Sequence, residues 1–595
     1  MNDNGISKTT ISEATSRNWK RLHSNGSGRL MSRANKQLSA KTIVPVEYFS
    51  NKDNIAGIQR FVEYCKKQNY SAEEVIYSVG IRLLKDAGIY EKPHVQKVLS
   101  TLSTLSFLSF LSFLSFLSLQ SLPSDEHDLL GLLYQCFLIE GEKNRKGSYY
   151  TPFEVAQNMT NNLDFSKGQT FFDPCCGSGA FILSLEGASP NQIFGCDNDP
   201  VAVMIAKINL LLKFKTEVFE PQIILCDYLK KHFKLKFDYI ISNPPWGAVV
   251  FDERNSPIPT KESFSFFFEK AFHQLADDGT IKFLLPESVL NVKCHRDFRK
   301  FLLENTEIKS ITKYPGVFSG VQTKYIDIQC TSHFDRSVVK RSVVEKSSTN
   351  NATECLEVRD FSTLLEMTFG KLEMKGGASR KVSKQCFYLT KNLNFNLLSD
   401  DDLEKVRKII SKGKYTLKDS IWALGVITGD NKNKVKSRQG RGMEPIYTGK
   451  DIEAYTLKRP TKFIKYERSD FQQVAKDEIY RADEKLVYKF ISKNLVFAYD
   501  DSKSLFLNSA NILIPRIPGM SIKTVLAFLN SEMFRFLYKS LFGEIKILKG
   551  NLMELPFPEI TPEMDEKLTK LVAKVLKGNK NAVKEIDNQI NKLFS

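Results

Sequence analysis

The chain has 595 residues, enough for three or four domains with apolar cores. Its 85 lysines and arginines against 68 aspartates and glutamates give a formal charge of +17, a balance that suits a polyanionic partner. Ten cysteines with no CxxC pair and no Cys/His spacing of a zinc site exclude a zinc module and a disulfide scaffold; with Met1-Asn-Asp-Asn-Gly lacking the apolar core of a signal peptide, a reducing cytoplasm is expected.

Residues 1–145 read as a helical N-terminal region. Its first 35 residues are polar, and Ile11 to Leu22 resembles the recognition half of a helix-turn-helix, with Arg17, Lys20 and Arg21 available for phosphates. A basic amphipathic helix fits the same residues equally well. Ile58–Ala87 and Asp128–Gly141 carry apolar residues at three- and four-residue spacing, so both are expected to be helical. Between them, 98–122 is uncharged and long enough to span a bilayer. Serine recurs there at every third position from Ser100 to Ser121, which is neither a helix nor a strand period. It reads as a low-complexity Ser/Leu/Phe repeat, and no membrane association is expected.

From 146 to 335, short apolar runs alternate with helical stretches. Strands are expected at Gln169–Phe172, Gln192–Cys196, Gln222–Cys226, Phe237–Ser242, Thr280–Leu285, Ile308–Lys313 and Tyr325–Cys330, with helices at Pro200–Phe214 and Ser263–Ala276. This is the pattern of an α/β, doubly wound sheet that takes ligands at the carboxyl ends of its strands. Residues 336–395 are polar and read as a connecting segment. Residues 396–595 read as a separate α+β binding domain, with a basic loop (Lys432, Lys434, Lys436, Arg438, Arg441) and an amphipathic helical end from Glu563.

Two marked turns carry the chemistry. Asp173-Pro-Cys-Cys-Gly177-Ser-Gly179 ends a strand and opens a helix, and Gly177 and Gly179 let backbone approach a ligand closely. Asp197 follows at the next strand end, placed to accept from ribose hydroxyls, and Asp227 at the one after, suited to an adenine amino group. Each acid alone could be a helix cap; three at successive strand ends make a nucleoside pocket. The second turn, Asn243-Pro244-Pro245-Trp246, is the more specific. Two prolines remove backbone donors and fix the chain, so the Asn243 side-chain oxygen and the Pro244 carbonyl can accept both hydrogens of an aromatic amine. That grip favours a pyramidal nitrogen for in-line attack on a sulfonium methyl, while Trp246 offers a flat face to an extruded base. Together the turns point to methyl transfer from S-adenosylmethionine to an exocyclic nitrogen. No metal is called for.

In this order the motifs resemble the gamma-class, TaqI-like N6-adenine DNA methyltransferases of type II restriction–modification systems. The likeness covers about 130–335 and, more loosely, the last 200 residues. It implies a methyltransferase catalytic domain followed by a target-recognition domain, S-adenosylmethionine as cofactor, double-stranded DNA as partner, and a cognate restriction endonuclease acting separately. Gly147-Ser-Tyr-Tyr-Thr151-Pro is similar to the family segment that closes over the methionine end of the cofactor, so Thr151 joins Asp173, Gly177, Gly179, Asp197 and Asp227 as cofactor-binding. Phe318, in Tyr314-Pro-Gly-Val-Phe-Ser-Gly, inherits the role of an aromatic that holds the flipped base. Trp246 stands where the family more often has Tyr. Tyr447–Ile452 and Lys546–Pro558 resemble the recognition domains of these enzymes, and the basic loop would contact DNA.

The rival readings are an N4-cytosine methyltransferase, which more often has Ser-Pro-Pro-Tyr, and a catalytically degenerate DNA-binding protein, against which the intact Asn243 argues. Protein-glutamine and ribosomal-RNA methyltransferases share the tetrapeptide but are usually compact. A type I modification subunit would normally leave recognition to another polypeptide. Residues 1–146 hold no Asp-x-Lys or Glu-x-Lys triplet, so no nuclease is expected there.

Overall fold

The computed structural model describes residues 48–102, 126–138, 151–246, 262–314, 324–331, 355–360, 378–543 and 546–594, with single positions at 123 and 258. The helix-turn-helix candidate, most of the Ser/Leu/Phe repeat and Phe318 lie outside them. Two compact units meet at the Lys384/Gln385 bond.

The unit ending at Lys384 is built on nine strands: β1 (Phe171–Asp173), β2 (Ile193–Asp197), β3 (Gln222–Leu225), β4 (Phe237–Ser242), β5 (Leu275–Pro286), β6 (Glu307–Lys313), β7 (Tyr325–Thr331), β8 (Cys355–Asp360) and β9 (Ala378–Ser383). Their order is β3-β2-β1-β4-β5-β7-β6-β8-β9. Strands β1 to β5 run parallel, and β7 is antiparallel to both β5 and β6. The sheet is therefore mixed, and its order reverses at β1, between β2 and β4. That reversal opens a crevice at the carboxyl ends of the central strands.

Alternate residues of a strand face opposite sides, and β1 uses both. Phe171 joins a core with Phe181, Ile182 and Ile205, whereas Phe172 stacks on Phe237 at 4.4 Å and lies near Tyr228 and Phe233. Helix Pro200–Lys213 is set by Asp199, which caps the Val201 N–H, and by Pro200 in its first turn. The N-terminal helices Asn54–Lys67, Ala72–Asp86, Pro93–Ser100 and Leu129–Phe137 pack into the same core. Gly80 lies so close to helix Pro200–Lys213 that an added Cβ would meet Ile208 at 2.7 Å. These four helices thus belong to the same compact unit as the sheet.

Most strand limits shift from the sequence reading by a residue or a few, and three further boundaries differ. The segment 336–395 contains β8 and β9, which extend the sheet, so it is not merely a connection. Helix Ser263–His273 stops short of Ala276 because β5 begins at Leu275. The second unit starts at Gln385 rather than 396.

The unit from Gln385 to Ser595 is α+β. Strands β10 (Ile421–Leu424), β11 (Val435–Lys436), β12 (Glu444–Tyr447), β13 (Phe463–Ile464), β14 (Lys485–Lys489), β15 (Phe497–Asp500), β16 (Leu505–Phe506) and β17 (Ala510–Ile514) form two sheets, ordered β10-β17-β14-β15 and β11-β13-β12-β16. The amphipathic end becomes two helices, Pro562–Leu576 and Asn581–Phe594, which close over a core containing Phe528, Phe534 and Phe557. Among the described residues no helix is long and apolar enough to cross a membrane.

Candidate functional site

The first turn leaves β1 at Asp173 and enters helix Ala180–Ser184. Gly177 and Gly179 have φ of 53° and 90°, a left-handed backbone open to residues without a Cβ. The turn is laced to its neighbours: the Gly177 N–H donates to Asp197 Oδ2 at 2.9 Å, and the Cys176 N–H to the Cys196 carbonyl at 2.9 Å. Asp197 Oδ1 takes the Asp199 N–H at 3.0 Å, and the Asn198 N–H adds a further backbone donor to the same carboxyl.

Asp173 is buried. Its Oδ1 accepts from Ser242 Oγ at 2.6 Å and from the Cys175 N–H at 3.1 Å, while Oδ2 is buried with no hydrogen-bond partner among the described residues. Burial pushes its carboxyl up to about 7; the Ser242 and Cys175 donors pull it down, and Asp197 pushes it further up. Burial also raises Asp197 above the ordinary carboxylate range. An orphaned buried carboxyl oxygen beside a glycine turn fits a ligand that brings positive charge and hydrogen-bond donors, as S-adenosylmethionine does.

The second turn leaves the adjacent strand β4. Cys175 Sγ lies 2.9 Å from Ser242 Oγ and donates to the Asn243 carbonyl at 3.4 Å, so the two turns are stitched side by side. The Asn243 side-chain amide donates to Thr151 Oγ1 at 3.2 Å, bringing a residue 92 positions earlier into the same site. Ser263 Oγ donates to the Pro245 carbonyl. Trp246 is half-buried; its indole N–H donates to the Leu284 carbonyl at 3.2 Å, and its ring centroid lies 6.4 Å from that of Tyr325.

The remaining predicted residues are less uniformly placed. Asp227 is exposed at the end of β3, takes the Leu229 N–H at 3.1 Å and lies 3.4 Å from Lys230. Tyr314 and Tyr325, which flank the segment carrying Phe318, stack at 5.3 Å. The basic loop is a short helix, Asn431–Lys434, running into β11. Lys432, Lys436, Arg438 and Arg441 are exposed, but Lys434 turns inward to the carbonyls of Thr428 and Asp470. Among the described residues no group of three or more side chains is arranged to hold a metal ion.

Sequence reading missed three supporting residues. Ser242 and Cys175 lie inside the quoted motifs, but their partners are 69 and 68 residues away. Lys270 donates to the carbonyls of Tyr228, Leu229 and Lys231, fixing the turn that carries Asp227. A lysine next to Glu269 on a Phe-rich helix gives no sequence signal for that.

Comparison with known proteins agrees with this geometry. Residues 125–328 match the family model described as N-6 DNA Methylase, and 444–557 match the TaqI-like C-terminal specificity domain. The chain is 29% identical over 334 residues to the type II methyltransferase M.VspI of Vibrio sp., covering 54% of this chain and 74% of that protein. It is 28% identical to the MjaIX type I restriction enzyme methylase subunit of Methanocaldococcus jannaschii, over 32% of this chain and 38% of that one. Among solved structures, the type IIL restriction–modification enzyme MmeI in complex with DNA superposes with a TM-score of 0.55 at 14% identity, covering 93% of this chain and 91% of that one. That likeness is one of fold.

Proposed function

We propose that this chain, which belongs to the N6-adenine DNA methyltransferases of restriction–modification systems, methylates an adenine extruded from duplex DNA with its own tetrapeptide, and chooses its site with its C-terminal unit. The observation that carries the reading is the stitching of Asn243-Pro-Pro-Trp246 to the glycine turn through Asp173, Ser242 and Cys175. It sets an amine-gripping device against a nucleoside pocket.

S-adenosylmethionine, when bound, supplies a methyl group on a positively charged sulfur. Asp197 would accept its ribose hydroxyls, Asp227 its adenine amino group, and Asp173, Gly177, Gly179 and Thr151 would hold the rest. Asn243 Oδ1 and the Pro244 carbonyl accept the two hydrogens of the target amine and orient its lone pair for in-line attack. No base is required before the nitrogen gains positive charge, so rate comes from positioning and from acceptors aimed where that charge develops. Trp246, fixed by Leu284, presents its ring beside the acceptors. In the C-terminal unit, Lys432, Lys436, Arg438 and Arg441 would meet phosphates, and neighbouring polar side chains base edges.

The test is transfer of labelled methyl from S-adenosylmethionine to unmethylated duplex DNA by the purified chain, followed by digestion to nucleosides. The expected product is N6-methyladenine. Label in N4-methylcytosine, or equal transfer by Asn243→Ala, would overturn the assignment.

A further inference from the structure

We propose that Asp128, which caps the N-terminal helix Leu129–Phe137, and Tyr134 within it are positioning residues that brace the glycine turn against the Asp197–Asp199 turn after β2, the two cofactor turns. The proposal rests on the cofactor reading above and gives the helical region a part in it.

The helix touches both turns. At its start, Asp128 Oδ1 takes the Gly131 N–H at 2.8 Å and the Asn209 side-chain amide at 2.9 Å. Asn209 also donates, at 3.0 Å, to the carbonyl of Ser178, between Gly177 and Gly179. Ser178 lies hard against this first helical turn: a Cβ added to Gly131 would meet Ser178 Oγ at 2.6 Å and Asp128 Oδ2 at 2.1 Å. Six residues on, about 9 Å along the axis, the Tyr134 hydroxyl donates to Asp199 Oδ2 at 2.8 Å.

These contacts close a ring. Asp199 donates its N–H to Asp197 Oδ1, Asp197 Oδ2 takes the Gly177 N–H, and Gly177 adjoins the Ser178 carbonyl held by Asn209 and Asp128. The helix is the rigid bar of that ring, so it braces from outside both motifs a spacing that the Gly177–Asp197 hydrogen bond sets directly. The same helix end borders a small cavity of about 30 Å³, whose walls include Asp128, Leu132, Thr151, Phe153 and Ala180. Ala180 is the first residue after the glycine turn. The Asp128 end of the bar thus reaches this space, while the helix itself is buried in the core.

Tyr134 reaches Asp197 through Asp199, so its loss should loosen the pocket without removing a ligand contact. The experiment uses full-length Tyr134→Phe, which deletes one hydroxyl, and Asp128→Asn, with Leu133→Ala on the same helix as a packing control. Affinity for S-adenosylmethionine is measured by calorimetry, alongside initial rates on unmethylated duplex DNA and melting without cofactor. Expected is a roughly fivefold rise in cofactor Kd and KM for Tyr134→Phe, the scale of one missing hydrogen bond, with kcat at saturating cofactor and the KM for DNA within twofold. Leu133→Ala should lower the melting temperature more and cofactor affinity less. Unchanged cofactor Kd in both Tyr134→Phe and Asp128→Asn, or a loss of affinity that merely follows melting temperature across the three variants, would overturn the proposal. A wild-type chain that does not bind S-adenosylmethionine would instead overturn the cofactor reading, and the proposal with it.

Discussion

The Asn243 side-chain amide donates to Thr151 Oγ1 at 3.2 Å, joining the residue that would grip the target amine to a threonine 92 positions earlier. The nitrogen end of the amide thus faces Thr151, and its oxygen end lies on the other side. A hydrogen bond between segments so far apart makes the amide orientation depend on how the chain closes before helix Phe153–Thr160.

Thr151→Val, which removes that acceptor, should lower kcat about tenfold, the equivalent of a hydrogen bond of about 1.4 kcal/mol. Asn243→Ala should cost about a hundredfold or more, by analogy with removal of one preorganised electrostatic partner of a developing charge, while cofactor affinity stays near wild type. Single-turnover rates with pre-bound cofactor separate the two effects. Equal rates in Thr151→Val and wild type would mean that the amide is oriented by other groups.

With its raised carboxyl, Asp173 should make stability depend on pH, and cofactor binding too if it holds the cofactor. Its carboxyl is raised in the folded chain from the ordinary 3.8 to about 7, so the folded state favours the neutral form. The stability it contributes is complete below about 4 and is lost as pH rises through about 7. Without cofactor, wild type should therefore lose stability relative to Asp173→Asn across this window, by a few kcal/mol at most. A cationic cofactor reverses the preference, so binding near pH 6 should release a proton. Calorimetry in buffers of different ionisation enthalpy measures that release, and a zero proton count would remove Asp173 from the cofactor's charged end.

The parts of the catalytic unit legible in the sequence are those where local pattern and tertiary role agree. Phe237–Ser242 reads as a strand because it is an apolar run stopped by Asn-Pro-Pro, and β4 has those limits. The glycine turn reads as a turn because only such residues tolerate its backbone. The two last strands were not legible: β9 reads Ala-Ser-Arg-Lys-Val-Ser, with little apolar content for a strand at the sheet edge. Nor was the fate of Lys434, since a lysine in a basic run gives no sign that it will turn inward to the carbonyls of Thr428 and Asp470. Ser242 shows the same limit inside a motif, because its partner Asp173 lies on another strand.

In the C-terminal unit, Lys485 and Asp500 form an ion pair at 2.5 Å with side chains 0% and 1% exposed, on neighbouring strands β14 and β15. Burial lowers the lysine's pKa, and Asp500 opposes that shift. Asp500→Ala leaves a buried ammonium without its carboxylate and should cost about 3–5 kcal/mol of stability in this unit. Replacing both residues with apolar ones of similar size should cost much less. Denaturant melts of the single and double variants test this; a double variant as unstable as the single would assign the loss to packing.

The basic loop divides into residues that face solvent and one that does not, and the two sets should fail differently. Lys432, Lys436, Arg438 and Arg441 are exposed. If they meet phosphates, neutralising all four should weaken binding to every duplex sequence and flatten its salt dependence, by about 0.9 in log–log slope for each phosphate no longer neutralised. Lys434 is committed to the carbonyls of Thr428 and Asp470 and lies 5.9 Å from the Phe471 ring. Lys434→Ala should therefore cost about 0.5–1.5 kcal/mol of stability through the lost hydrogen bonds, with little change in salt slope. Titrations of labelled duplex at several salt concentrations, run beside thermal melts, read both quantities. An unchanged slope in the fourfold variant would make the loop a solvated charge run and move DNA binding elsewhere in the unit. A slope change in Lys434→Ala equal to that of an exposed lysine would show that its side chain leaves those carbonyls when DNA binds.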